Sequence, residues 1–166
     1  MERSELTTHN YSFQFVVDFL RFATPVTECC HYISRLVKNN IGIKMWFEPL
    51  PEQCPPSSAR PVKGTFYRLV TGAVASCEDF WSHRKLWPNK SFNVDECRAR
   101  SLSIYECYDD CDKLRKLSLH KHKEIAEITL DGSAGVAKQT GREKTHYSWW
   151  RSDSFRPQMQ SNVVTQ

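Results

Sequence analysis

Glycine is scarce in this chain, with six among 166 residues and half of them after residue 130. So few argue against the glycine-rich loops that cradle nucleotides. Long apolar runs are missing too: none approaches the ~20 residues a membrane-spanning helix needs. The opening residues, Met1-Glu2-Arg3-Ser4-Glu5, lack the basic-then-apolar order of a signal peptide. No internal repeat is visible. Seven cysteines, an odd number without a secretory signal, predict free or metal-bound thiols in a reducing compartment, not a disulfide framework. A cytoplasmic location, with access to the nucleus, is the matching expectation.

Bulky core material is plentiful. Five Trp, six Tyr and nine Phe make wholesale disorder an unsuitable description. The length suits one domain with a real core. Charge is uneven: residues 60–123 hold 13 basic and 8 acidic side chains, while the flanking stretches are close to neutral. That central excess can attract phosphate backbones.

Periodicity predicts an α+β domain over residues 1–132. In residues 11–20, Phe13, Phe15, Val17 and Phe19 alternate as a strand does. Thr24-Pro25 opens a helix that Asn39-Asn40 closes before Gly42. Residues 41–47 alternate again, and the five prolines between Pro49 and Pro61 mark a loop. Residues 64–71 read as a third strand, and Ser76 as the cap of a short helix ended by Pro88. Asn93 begins a longer helix, with Ile104, Cys107, Cys111 and Leu114 on one face. Residues 125–130 form a last strand stopped by Asp131-Gly132. This order is β-α-β-β-α-β, an antiparallel sheet with helices on one face, as in a ferredoxin-like plait. From Ser133 onward the pattern fades, and residues 133–166 are expected to be a flexible tail.

Five groupings carry candidate chemistry. Cys107, Cys111, His120 and His122 lie within sixteen residues, and two thiols with two imidazoles make the usual donor set of a structural zinc. Cys97 is an alternative ligand. Cys29-Cys30-His31 invites a thiolate-nucleophile reading, but helix neighbours point about 100° apart and no orienting residue is assignable, so no catalytic residues are expected. Trp81, His83, Arg84, Lys85 and Trp87 mix cations with indoles. In the tail, Trp149 and Trp150 beside Arg151 suit a motif that docks on a host or partner protein.

The fifth grouping is Lys63-Gly64-Thr65-Phe66-Tyr67-Arg68-Leu69-Val70. It partly resembles the octamer on the third strand of RNA-recognition motifs. Lys63, Gly64 and Tyr67 match, whereas Thr65 and Val70 stand where the family has aromatics. The resemblance implies a sheet whose rings stack on unpaired bases.

Together these features predict a non-enzymatic, RNA-binding accessory or regulatory protein. Lys63, Arg68, Arg84, Lys85, Arg98 and Arg100 would meet phosphates, and Tyr67 or Trp81 would stack on bases. In texture the chain is similar to small accessory proteins of RNA viruses, including silencing suppressors and movement factors. The alternative is a zinc-stabilised adaptor that binds proteins through its tail.

Overall fold

A computed structural model describes residues 46–164. The strand expected at residues 11–20, the helix after Thr24 and the Cys29-Cys30-His31 group lie outside the described residues. Five strands are seen among the described residues: Arg60–Val70 (β1), Leu102–Tyr105 (β2), Glu124–Gln139 (β3), His146–Arg151 (β4) and Ser161–Val164 (β5). Short helices interleave them: His83–Leu86 (α1), Glu96–Ala99 (α2), Tyr108–Arg115 (α3) and Pro157–Gln160 (α4), with 3-10 turns at Glu78–Phe80 and Ser118–His120.

The architecture is α+β, but the sheet closes on itself. Strand order is β1-β2-β4-β3-β5, and β1 also bonds to β3, so the first four strands form a small barrel with β5 added outside. All pairings are antiparallel. The ferredoxin-like order expected from the sequence is not the one these strands follow. The seam between β1 and β2 is narrow, a single register pair of Tyr67 with Tyr105.

The long β3 makes closure possible because it bends. Its first half pairs with β1 and β5, and its second half with β4 and the start of β1. At the bend, Asp131 Oδ1 accepts hydrogen bonds from Ser133 N (2.8 Å), Ser133 Oγ (2.7 Å) and Ala134 N (3.1 Å). An Asx turn of this kind redirects the backbone locally. Gly135, at φ +145°, has no room for a side chain: a Cβ there would run into the Trp150 carbonyl and the Trp149 indole nitrogen.

Two apolar clusters follow from the alternation of side chains on these strands. Phe66, Leu102, Ile104, Ile128, Leu130 and Trp149 fill one, together with Phe80 and Phe155. Tyr105, Cys111 and Ile125 form the other, with Tyr67, Leu69, Tyr108 and Leu114 packed against it. In this second cluster the α3 residues Tyr108, Cys111 and Leu114 cover the sheet.

Three expectations need correction. Residues 133–164 are no loose tail: they supply β4 and β5, and Trp149 and Trp150 are 0% and 3% exposed. Those two indoles are therefore not available as docking handles in this fold. The helix expected from Asn93 is broken, because Leu102 and Ile104 are buried on either side of exposed Ser103, a two-residue period that belongs to β2. Ile104 thus leaves the face it was expected to share with Cys107 and Cys111. Finally, Cys54 and Cys97 are joined in a disulfide with Cα atoms 5.6 Å apart, and Cys77 is also disulfide-bonded. Cys107 and Cys111 are the free thiols among the described residues.

Candidate anion-binding cavity

Arg68 is the centre of the site. It lies on β1 between buried Phe66 and Val70, where a guanidinium must find acceptors. Its Nε donates to the Asp79 carbonyl (2.8 Å) and its Nη1 to the Ser103 carbonyl (2.7 Å), tying β1 to the Glu78–Phe80 turn and to β2. Burial lowers its pKa to about 10, against the opposing influence of Asp79 and Cys111. The Asp79 carboxylate is occupied elsewhere: it accepts from Thr71 N, Ser76 N and Ser76 Oγ, each at 2.8 Å.

A cavity of about 310 Å³ opens beside Arg68. Its ionisable lining is cationic or imidazole: Arg68, Arg98 and Lys123 with His83, His120 and His146, alongside the phenol of Tyr105. No described carboxylate lines it. The groups come from β1, α1, α2, the Ser118–His120 turn, the residues before β3, and β4. They meet only because the sheet closes.

The electrostatics record this crowding. Lys123 has its pKa lowered by burial and then by Arg68. His83 is lowered by burial, then by Arg68, Lys123 and Lys90. His120 is lowered by burial, then by Lys123 and His122. Desolvation disfavours a charged base, and like charges nearby add to the effect. His120 Nδ1 is buried and has no hydrogen-bond partner. His146 is held by its Nδ1, which donates to the Thr140 carbonyl at 2.8 Å, and its ring lies 4.9 Å from that of Tyr105. A cavity of this volume and charge suits a phosphate-sized anion with part of what it is attached to.

Of the eight residues expected to bind nucleic acid, the structure brings Arg68 and Arg98 together in this cavity. Lys63 is exposed on β1, opposite Asp131. Arg84 and Arg100 serve the scaffold. Arg84 Nη2 lies 2.8 Å from Glu96 Oε2, and Arg100 Nε lies 2.8 Å from Glu96 Oε1. Arg100 also donates to the Pro49 carbonyl at 2.8 Å. Tyr67 is half-buried edge-on to Tyr108, with ring centroids 5.6 Å apart. Trp81 is half-buried with the Lys85 ammonium 4.7 Å from its ring centre.

The proposed zinc ligands are not gathered. Cys107 precedes α3 and Cys111 is buried in the second cluster, where burial pushes its pKa up to about 12. His120 lines the cavity, and His122 is exposed. Among the described residues no group of three or more metal-ligating side chains occurs. Sequence reasoning placed His83 among the cations and indoles near Trp81 without a role of its own and missed Lys123 and His146, which no spacing signal links to it; the Lys121-His122-Lys123 run marked only a basic stretch.

Comparison with known proteins adds nothing to this geometry: no family model, no curated protein and no solved structure matches the chain. No described helix is long and apolar enough to cross a membrane.

Proposed function

We propose that this chain is a non-enzymatic RNA-binding protein of accessory or regulatory type, which seats a backbone phosphate of single-stranded RNA in the cationic cavity. The observation that carries it is the set of Arg68, Arg98, Lys123 and three histidines around one cavity without a described carboxylate. Groups that raise one another's cost of charging are relieved by an anion. Exposed Lys63 and Lys85 would extend the contact by long-range attraction, while Arg84 and Arg100 hold the scaffold. A cavity of about 310 Å³ excludes a duplex and admits a single nucleotide unit.

The test is a titration of a single-stranded RNA decamer at two salt concentrations, with wild type and with Arg98→Gln and Lys123→Gln. Affinity should fall with salt, with a slope near −0.7 for each phosphate neutralised, and both variants should bind more weakly with a shallower slope. Absence of binding at low salt ends this proposal.

A further inference from the structure

The ring nearest the cavity that stands open to solvent is neither Tyr67 nor Trp81. Trp87, just after α1, is 48% exposed. Its ring centre is 5.6 Å from that of His83, which itself lines the cavity. His83 is also stacked near Phe92, with centroids 6.0 Å apart and an interplanar angle of 18°. The Lys90 ammonium sits 5.1 Å from the Trp87 ring centre and 5.9 Å from that of Phe92.

This cluster is held in place. Arg84 Nη1 donates to the Pro88 carbonyl (2.7 Å) and the Lys90 carbonyl (2.9 Å), and its guanidinium lies 4.9 Å from the Phe92 ring centre. Lys90 N donates to the Trp87 carbonyl at 3.2 Å, closing the turn. Glu96 fixes Arg84 from the other side. The exposed indole is thus presented on a braced turn, and it adjoins a phosphate-sized cationic cavity through one shared imidazole.

We propose that Trp87 is the nucleobase-stacking ring of this protein, with Lys90 at the edge of the stack and His83 between the base and the phosphate in the cavity. The ligand unit is one nucleotide of a single strand, base on Trp87 and phosphate against Arg98 and Lys123. Stacking on an indole is tolerant of base identity, because every base has a π face. This proposal rests on the RNA-binding reading and adds the base to the phosphate.

The experiment compares two probes of equal length and charge, a single-stranded RNA decamer and an abasic ribose-phosphate decamer. Wild type should favour the base-bearing strand. Trp87→Leu should weaken RNA binding roughly ten- to hundredfold, Trp87→Phe should restore most of it, and neither should alter abasic binding. Photocrosslinking of 5-iodouridine RNA to the unaltered protein, followed by peptide mapping, should mark Trp87. Equal affinity of wild type for both probes, or of Trp87→Leu and wild type for RNA, overturns the stacking role and leaves phosphate binding standing. If wild type binds neither probe, both proposals fall.

Discussion

Trp149 packs edge-on against Phe155, with ring centroids 4.9 Å apart and planes at 87°. Both rings are fully buried, and both come from the stretch whose composition suggested a loose tail. A chain cut before this pair loses β4, and with it two of the four joints that close the barrel.

Truncation after residue 132 should therefore abolish cooperative folding. Replacing Trp149 or Phe155 by Ala should cost about 3–5 kcal/mol, the usual penalty for emptying a buried aromatic site. Urea unfolding followed by near-ultraviolet circular dichroism measures both. A truncated chain that keeps a cooperative transition would show that the last strands are dispensable.

Gly135→Ala is a sharper probe of closure. The added methyl would meet the Trp150 carbonyl and the Trp149 indole, and the residue would still need its positive φ. Trp150 backbone and the fully buried Trp149 indole leave little to yield. We expect a loss of roughly 2–4 kcal/mol, read from the midpoint of a denaturant melt, by the combination of overpacking and an unfavourable dihedral.

The Cys54–Cys97 bond fastens the proline-rich loop to α2 across a sequence separation of 43. Changing both to Ser should lower stability by roughly 2–5 kcal/mol by releasing the unfolded chain. Thermal melts of the double variant measure it. No difference from the parent would mean that the hydrogen bonds from Arg100 to Pro49 and from Trp150 to Cys97 hold this region unaided.

The cavity should make stability depend on pH. His83 and His120 have folded pKa values depressed by burial and by neighbouring cations. In the unfolded chain they take up protons near pH ~6.5, so over the window just below that value the unfolded state binds more protons than the folded one. Stability without ligand should therefore fall as pH drops from about 7 through the depressed values. Bound phosphate favours the protonated imidazoles, so the thermal shift produced by RNA should grow as pH falls from 7.5 to 6. A shift that shrinks over that range would separate the histidines from the anion.

Cys111 offers an independent check on the second cluster. Burial raises its thiol to about 12, so almost none is thiolate at neutral pH. Peptide mapping after iodoacetamide treatment should find Cys111 unlabelled in the native protein and labelled in urea. Rapid native labelling would mean that α3 does not seal that side of the sheet.

Much of the central fold was legible. Phe66 and Val70, flanked by polar Lys63 and Thr65, marked β1, and the prolines from Pro49 marked the loop before it. What failed did so for a physical reason. Ser148, Trp149, Trp150 and Arg151 are all buried, so β4 is covered on both faces and shows no alternation to read. Arg151 looks like a surface residue in sequence, yet its guanidinium donates to the Phe80 and Phe155 carbonyls at 3.1 Å each. Ile104 fitted a helical stripe by chance of spacing, and only its neighbour Ser103 hinted at a strand. The site was half legible: the basic stretch pointed to Arg68 and Arg98, but Glu96 absorbs Arg84 and Arg100, and His146 lies far along the chain.

The narrow seam of Tyr67 against Tyr105 has a consequence for how the molecule is made. On a ribosome, β1 emerges some fifty residues ahead of β3 and must wait, its edges open, until the bend at Asp131 brings both halves of that strand to it. Closure needs β4 as well, so the ring cannot lock until Arg151 has been synthesised. Contacts so distant along the chain favour slow, late assembly, during which an exposed β1 is the edge most open to capture by another nascent chain.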